Sequence, residues 1–218
     1  MKNIGILFLS LFITATAVSQ SEEKATSLLD EVSAKMGAYE NMYIGFSQTL
    51  TNEEAGIKEG DEPPIRGEIN LKGEKYSLNY LGNQFIYDGV KLHVINHDEK
   101  EISILDEDLS DDSGFIYPSK LLTFYQDGYN LQMGSLKNIN GRNIQFVTLN
   151  PIDSGSEIVK VELGIDAKTK HIYKLIQTGA NASKTTFTIT KFKKNEDLSE
   201  NFFTFNKAKY LNENYTID

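Results

Sequence analysis

Gly67-Glu-Ile-Asn-Leu-Lys-Gly-Glu-Lys-Tyr-Ser-Leu78, continued by Phe85-Ile-Tyr-Asp-Gly-Val-Lys-Leu92, alternates apolar with polar residues and is broken by the turn pair Asp88-Gly89. That is the pattern of half-buried antiparallel strands joined by a tight hairpin. One face of such a sheet is apolar and aromatic. It either fills its own concavity or holds something greasy there.

The same period of two extends on both sides of this stretch. Upstream, Ile44, Phe46 and, past Gln48, Leu50 begin a strand, and a polar loop from Asn52 to Pro64 interrupts the pattern. Downstream, Leu92 and Val94, then Ile102 and Ile104, continue it. It resumes at Tyr129, Leu131 and Met133, and runs through Ile144, Phe146, Val159, Val161, Leu163 and Ile165. After a turn from Asp166 to Lys170 come Ile172 to Ile176 and a last long run from Thr185 to Phe192. Phe202, Phe203 and Phe205 are expected to close the chain against the core.

Two segments break the alternation. Ala25, Leu28, Leu29, Val32 and Met36 recur at helical spacing, a single apolar stripe that must lie on something. Ser21 is placed to cap that helix, with Glu22 and Glu23 at the positive end of its dipole and Gly37 ending it. A second, short helix is expected over residues 118–125, starting at Pro118, which is tolerated at the first helical position. Leu121, Leu122, Phe124 and Tyr125 make it apolar on most of its circumference, so it is covered on more than one side or itself covers a cavity. The fold class is therefore mainly β (α+β), with helices on one face of an antiparallel sheet.

At its start the chain reads as a secretory signal: Lys2, an apolar centre from Ile4 to Ile13, and the small-residue site Ala17-Val18-Ser19. The expected division is a cleaved signal over 1–19 and a single domain over 20–218. No cysteine follows the cleavage site, so no lipid anchor is expected; the chain contains none at all, and the core must hold without crosslinks. The formal net charge of -9 becomes one unit more negative once Lys2 leaves, and no basic stripe interrupts it. Nucleic acid and anionic membrane surfaces are therefore unsuitable partners.

Catalytic chemistry has no visible home. His93 and His97 lie four apart on a strand, about 13 Å at about 3.3 Å per residue, too far to share a metal unless the strand ends between them. His171 stands alone after a turn. The acidic run from Asp106 to Asp112 begins like a calcium loop but has Asp111 where glycine is needed and Tyr117 where glutamate is needed, so it reads as a solvated loop. There is no Gly-x-Ser-x-Gly elbow and no glycine-rich phosphate loop. No enzyme, metal or cofactor is expected. Asn181-Ala-Ser183 and Asn214-Tyr-Thr216 are sequons that matter only in a glycosylating pathway.

What remains is flat apolar surface, twelve Phe and eleven Tyr with no Trp. By composition alone these residues fill a core. The order of parts, however, resembles the periplasmic outer-membrane lipoprotein carriers, the LolA family, over nearly the whole chain beyond the signal. The resemblance rests on the helix from Ala25 to Met36 followed by Tyr43-Ile-Gly-Phe-Ser-Gln-Thr49, on Gly67 to Lys72 followed by Lys75-Tyr76, and on Tyr87-Asp-Gly-Val-Lys-Leu92. Later come Leu163-Gly-Ile-Asp166, Ile172-Tyr-Lys-Leu175, Phe187-Thr-Ile-Thr190 and Phe203-Thr-Phe205.

The resemblance implies an incomplete antiparallel β-barrel, a half-barrel whose concave apolar face is lidded by helices. It implies a soluble periplasmic carrier that shields lipoprotein acyl chains between an inner-membrane releasing transporter and an outer-membrane acceptor. Phe46, Leu78, Phe85, Tyr87, Leu163, Leu175, Phe187 and Ile189 are the expected lipid-binding wall, and Leu121, Leu122, Phe124 and Tyr125 the lid. Family members carry Lys-Arg-Pro before the Gly-Lys-aromatic step, the arginine tying down the lid. This chain reads Lys72-Gly73-Glu74-Lys75-Tyr76, which leaves Lys72 as the tethering candidate without a planar guanidinium, and Arg66 outside the motif. That departure keeps a second reading open, a periplasmic sensor or interaction module on the same fold. Either way the expected molecule is a monomer without nucleic acid.

Overall fold

Twelve strands make one sheet in the order β12-β6-β5-β4-β3-β2-β1-β11-β10-β9-β8-β7, as defined by a computed structural model that describes residues 4–106 and 118–218, with side chains from residue 20 onward. In chain order the elements are α1 (Ile4–Gly37), β1 (Met42–Thr51), β2 (Ile65–Lys72), β3 (Lys75–Tyr80), β4 (Asn83–Tyr87), β5 (Lys91–Asn96) and β6 (Glu101–Asp106). Two short 3-10 turns follow, Pro118–Lys120 and Phe124–Gln126. Then come β7 (Tyr129–Ile139), β8 (Arg142–Pro151), β9 (Ile158–Asp166), β10 (Ile172–Gly179), β11 (Lys184–Lys194), α2 (Lys207–Asn212) and β12 (Thr216–Ile217). The sheet has two ends, β12 and β7, and does not close: the fold is an open half-barrel. The acidic run beyond Asp106 lies outside the described residues.

Most neighbours are joined by hairpins, as the alternation predicts. Asp88-Gly89 turns β4 into β5, Gly89 having φ +97° and the Asp88 carboxylate accepting from the backbone N–H groups of Val90 and Lys91. Partial burial pushes that carboxyl up, but the backbone donors outweigh it and hold Asp88 below the usual carboxylate range. The long-range closure is β1 against β11, with a bulge between Gly45 and Phe46. One neighbour pair departs from the all-antiparallel expectation: β12 runs parallel to β6.

α1 lies against β7 and the concave face. Its stripe Ala25, Leu28, Leu29, Val32 and Met36 is buried, and each of the larger side chains contributes about 1.5–3 kcal/mol by leaving water. The helix ends at Gly37 as expected, but Ser21 does not cap it, because α1 is already helical at that point. Instead the Ser21 hydroxyl accepts a 3.0 Å hydrogen bond from the Met133 backbone N–H on the edge strand β7. Among the described residues no helix is long and apolar enough to cross a membrane.

The chain end also departs from expectation. Phe205 does not close the main core; with Tyr210, Tyr215 and Ile217 it covers Ile86, Ile95 and Ile102. These three alternate with Phe85, Tyr87, Leu92 and Val94 and so lie on the opposite, convex face. The half-barrel therefore has two separate apolar clusters, one on each face.

Candidate functional site: the concave apolar face

Register places the eight expected wall residues on one face. Leu163, Leu175 and Phe187 are directly opposite one another across β9, β10 and β11. Phe46 faces Ile189 across the β1–β11 pair, because the register shift between Gly45 and Phe46 leaves Thr190 of β11 without a partner on β1 and brings Ile189 to this face. On the other wing Leu78 faces Phe85, and Tyr87 faces Tyr76. All eight belong to the cluster that also contains the α1 stripe.

Cover is uneven over this face. Leu163, Leu175 and Leu78 are buried, whereas Phe46, Phe85, Tyr87, Phe187 and Ile189 are half-buried. Phe46 is the hub of the less covered part, with its ring centroid 5.7 Å from Tyr80 and 5.8 Å from Phe187. The rim is more open still: Leu50 and Ile65, on the same face, are 43% and 40% exposed. Tyr80, Ile65 and Met133 were not among the expected wall residues, although Tyr80 stands in the Tyr76, Leu78, Tyr80 alternation that could have assigned it.

The segment expected to form the lid is not the continuous helix expected over residues 118–125. It forms two 3-10 turns, closed by hydrogen bonds from the Leu121 N–H to Pro118, the Thr123 N–H to Lys120 and the Gln126 N–H to Thr123. Such turns are used in short pieces, and the chain leaves the second one through Gly128 at φ +82° into β7. Tyr125 is buried, with Leu121, Leu122 and Phe124 half-buried, and all four pack on the concave cluster. Where α1, the lid segment and the sheet meet, Leu29, Val32, Leu122, Tyr125, Leu163 and Ile172 leave a gap of only about 10 Å³, room for about one water. This part of the face is closed by the protein's own side chains.

Tyr125 in this segment donates its hydroxyl hydrogen bond to Asp30 on α1 at 2.8 Å. Burial first, and then this bond, raise the Tyr125 hydroxyl above the usual tyrosine value. Lys72 is exposed at the end of β2, opposite Lys75 across the hairpin, and Arg66 is exposed on the convex side, opposite Ser47.

His93 is buried on the convex side, its Nδ1 3.3 Å from the Ile86 carbonyl and its ring stacked on Phe205 at 4.2 Å, while His97 pairs with the Tyr215 hydroxyl. His171 is not alone: its Nε2 meets the Tyr39 hydroxyl at 2.8 Å and its ring packs on Phe192. Burial, reinforced by Lys35 and Lys194, lowers its pKa. Among the described residues no group of His, Asp or Glu could hold a metal ion. An open groove of about 610 Å³ beside α1 has a mixed lining, Leu28 and Met133 among Gln20, Glu23, Lys24, Ser27, Glu31 and Lys170.

No protein-family model matches the sequence, and neither does any curated protein. Solved structures do share the architecture. A conserved protein of Thermus thermophilus is similar at a TM-score of 0.57 and 10% identity, over 84% of this chain and 95% of that one. The structural neighbours include a LolA-superfamily protein of Nitrosomonas europaea, at a TM-score of 0.44 and 14% identity over 83% and 97% of the two chains. They also include the Mycobacterium tuberculosis lipoprotein LppX, at 0.44 and 16% identity over 80% and 98%. At these identities the likeness is one of fold alone.

Proposed function

We propose that this protein is a soluble periplasmic carrier that shields acyl chains of lipoproteins or related lipids on its concave face. The observation that carries the reading is the aromatic block of Phe46, Tyr80, Phe85 and Phe187, half-buried on a face that α1 covers elsewhere. A half-buried aromatic surface next to a closed one, the closed part covered by a segment pinned through Tyr125, is what a reversible apolar site requires. On this reading the signal 1–19 is removed in transit. Residues 20–218 then act as a monomer between an inner-membrane releasing transporter and an outer-membrane acceptor.

Magnitudes limit how the site works. Three sixteen-carbon chains would gain on the order of 35 kcal/mol if fully buried, at about 0.8 kcal/mol per methylene. Non-covalent affinities end near about 20 kcal/mol, and a carrier at that limit could not release its cargo. Part of the gain must therefore go into lifting α1 and the lid segment from the sheet, since the closed part leaves room for about one water. Transfer is then mass action between apolar sites and needs no catalytic residue.

Native mass spectrometry of the signal-stripped protein with a triacylated lipopeptide tests this. A one-to-one adduct is expected, lost in Leu122→Glu and in Phe85→Asp while both variants stay folded. No adduct with folded protein and dispersed lipopeptide would overturn the carrier reading. The tight packing around Leu163 and Ile172 would then favour closed core, and a protein-recognition module becomes the better account.

A further inference from the structure

Gln48 is out of place on the concave face. Its neighbours along β1 are Phe46 and Leu50, and its cross-strand partners are Ile65 on β2 and Phe187 on β11, so a polar amide sits inside a ring of four apolar side chains. Its Oε1 is inaccessible to water and has no hydrogen-bond partner. A buried acceptor without a donor is costly, and native proteins leave few of them without a reason. A leucine at this position would fit the surroundings better. The one other such atom, among the described residues, is Thr178 Oγ1, which alternation from Leu175 puts on the opposite face.

We propose that Gln48 reads the head of a bound acyl chain, its Oε1 accepting a hydrogen bond from a donor at that end of the ligand. The preferred cargo is then an acyl chain carrying a donor at its head, an amide N–H or a hydroxyl, rather than a plain ester. Position supports the polarity of binding. Leu50 and Ile65 beside Gln48 are the exposed rim, so a ligand head held there leaves its hydrocarbon to run inward over Phe46 and Phe187 toward Leu175 and Leu163. The inference rests on the carrier reading and adds to it a chemical class of cargo.

Competition of unlabelled ligands against a fluorescent fatty-acid probe tests it, using N-methylpalmitamide, methyl palmitate and methyl 3-hydroxypalmitate, which share one chain length. The wild-type protein is expected to bind the amide about fivefold more tightly than the plain ester, the worth of one neutral hydrogen bond. If a hydroxyl is the natural donor, the hydroxy ester shows that preference instead. Gln48→Leu and the near-isosteric Gln48→Met should bind all three alike, and should melt no lower than wild type, having lost an unpaired buried acceptor. Equal binding of all three by the wild type overturns the role of Gln48 and leaves the carrier reading standing. Binding of none of them, probe included, overturns the carrier reading itself.

Discussion

Tyr125 donates a 2.8 Å hydrogen bond to Asp30 across 95 residues of chain, and so joins residues 118–126 to the helix that covers the concave face. Asp30 is exposed and can turn to water when the bond is lost, so Tyr125→Phe should cost only about 1 kcal/mol. If the segment is a lid, that variant should also take up an acyl probe faster, read by stopped-flow fluorescence. Lower stability with unchanged uptake would make residues 118–126 ordinary core cover.

Alkaline pH should loosen both faces. Tyr80 and Tyr129 are raised by burial, Tyr210 by burial aided by Tyr215 and Glu213, and Tyr43 chiefly by its bond to Glu68. Tyr125 is raised as well. Each raised value means that the folded state holds the neutral phenol more tightly than the unfolded chain does. The stability is fully present below the ordinary tyrosine value of 10.0 and is lost as pH rises through the higher folded values. Thermal melts from about pH 8 to about pH 11 should fall steeply only in the upper part of that range, and the fall should be shallower in Tyr125→Phe.

On the acid side His171 sets the opposite sign. Its folded value is lowered, so its contribution is present above the ordinary 6.5 and disappears as pH falls through the folded value. His171→Gln should therefore flatten the decline in melting temperature below about pH 6.5. An unchanged acid limb would mean that burial beside Lys35 and Lys194 does not lower the folded value of His171.

Strand pairing was legible in the sequence because hairpins are local: the Tyr76, Leu78, Phe85 and Tyr87 alternation is enough to bring those side chains to one face once Asp88-Gly89 turns the chain. Relating that wing to Leu163, Leu175 and Phe187 needs the β1–β11 pairing and its bulge at Gly45, contacts between the two ends of the chain that no local period encodes. The C-terminal cover was misassigned for a related reason. Phe205, Tyr210 and Tyr215 are as apolar as core residues, and only the placement of β12 beside β6 sends them to the convex side. The lid segment misled differently, since apolar residues at close spacing fit 3-10 turns as well as a helix. Gln48 was visible as a polar residue in an apolar strand, but its missing partner is a property of the packed face.

Gly67 is fixed by a close approach rather than by backbone conformation. A Cβ there would lie 2.3 Å from Cζ and 2.8 Å from Cε2 of Phe46, the far end of whose ring sits over the glycine on β2. Gly67→Ala should push the ring off the sheet, lowering stability by about 2 kcal/mol and changing acyl binding at the Phe46, Tyr80, Phe187 block. Phe46→Ala combined with Gly67→Ala should cost less than the sum of the two single changes. Strict additivity in a double-mutant cycle would show that the ring is not what excludes the side chain.

If the concave face binds acyl chains as proposed, the two apolar clusters give a control that separates folding from binding. Phe205 stacks on His93 at 4.2 Å and on Tyr210 at 5.4 Å, on the face opposite Phe85 and Tyr87. Phe205→Ala should uncover His93 and the isoleucines beneath the C-terminal segment, costing about 2–3 kcal/mol, somewhat less than a fully buried phenylalanine because this one is half-buried. Urea unfolding should register that loss, while acyl-probe affinity stays within about twofold of wild type, since the sheet separates the two clusters. Phe85→Ala should do the reverse, weakening the probe more than the fold. If Phe205→Ala instead abolishes binding while the protein remains folded, the two faces are coupled through β4 and β5, and the C-terminal segment becomes part of the cargo machinery.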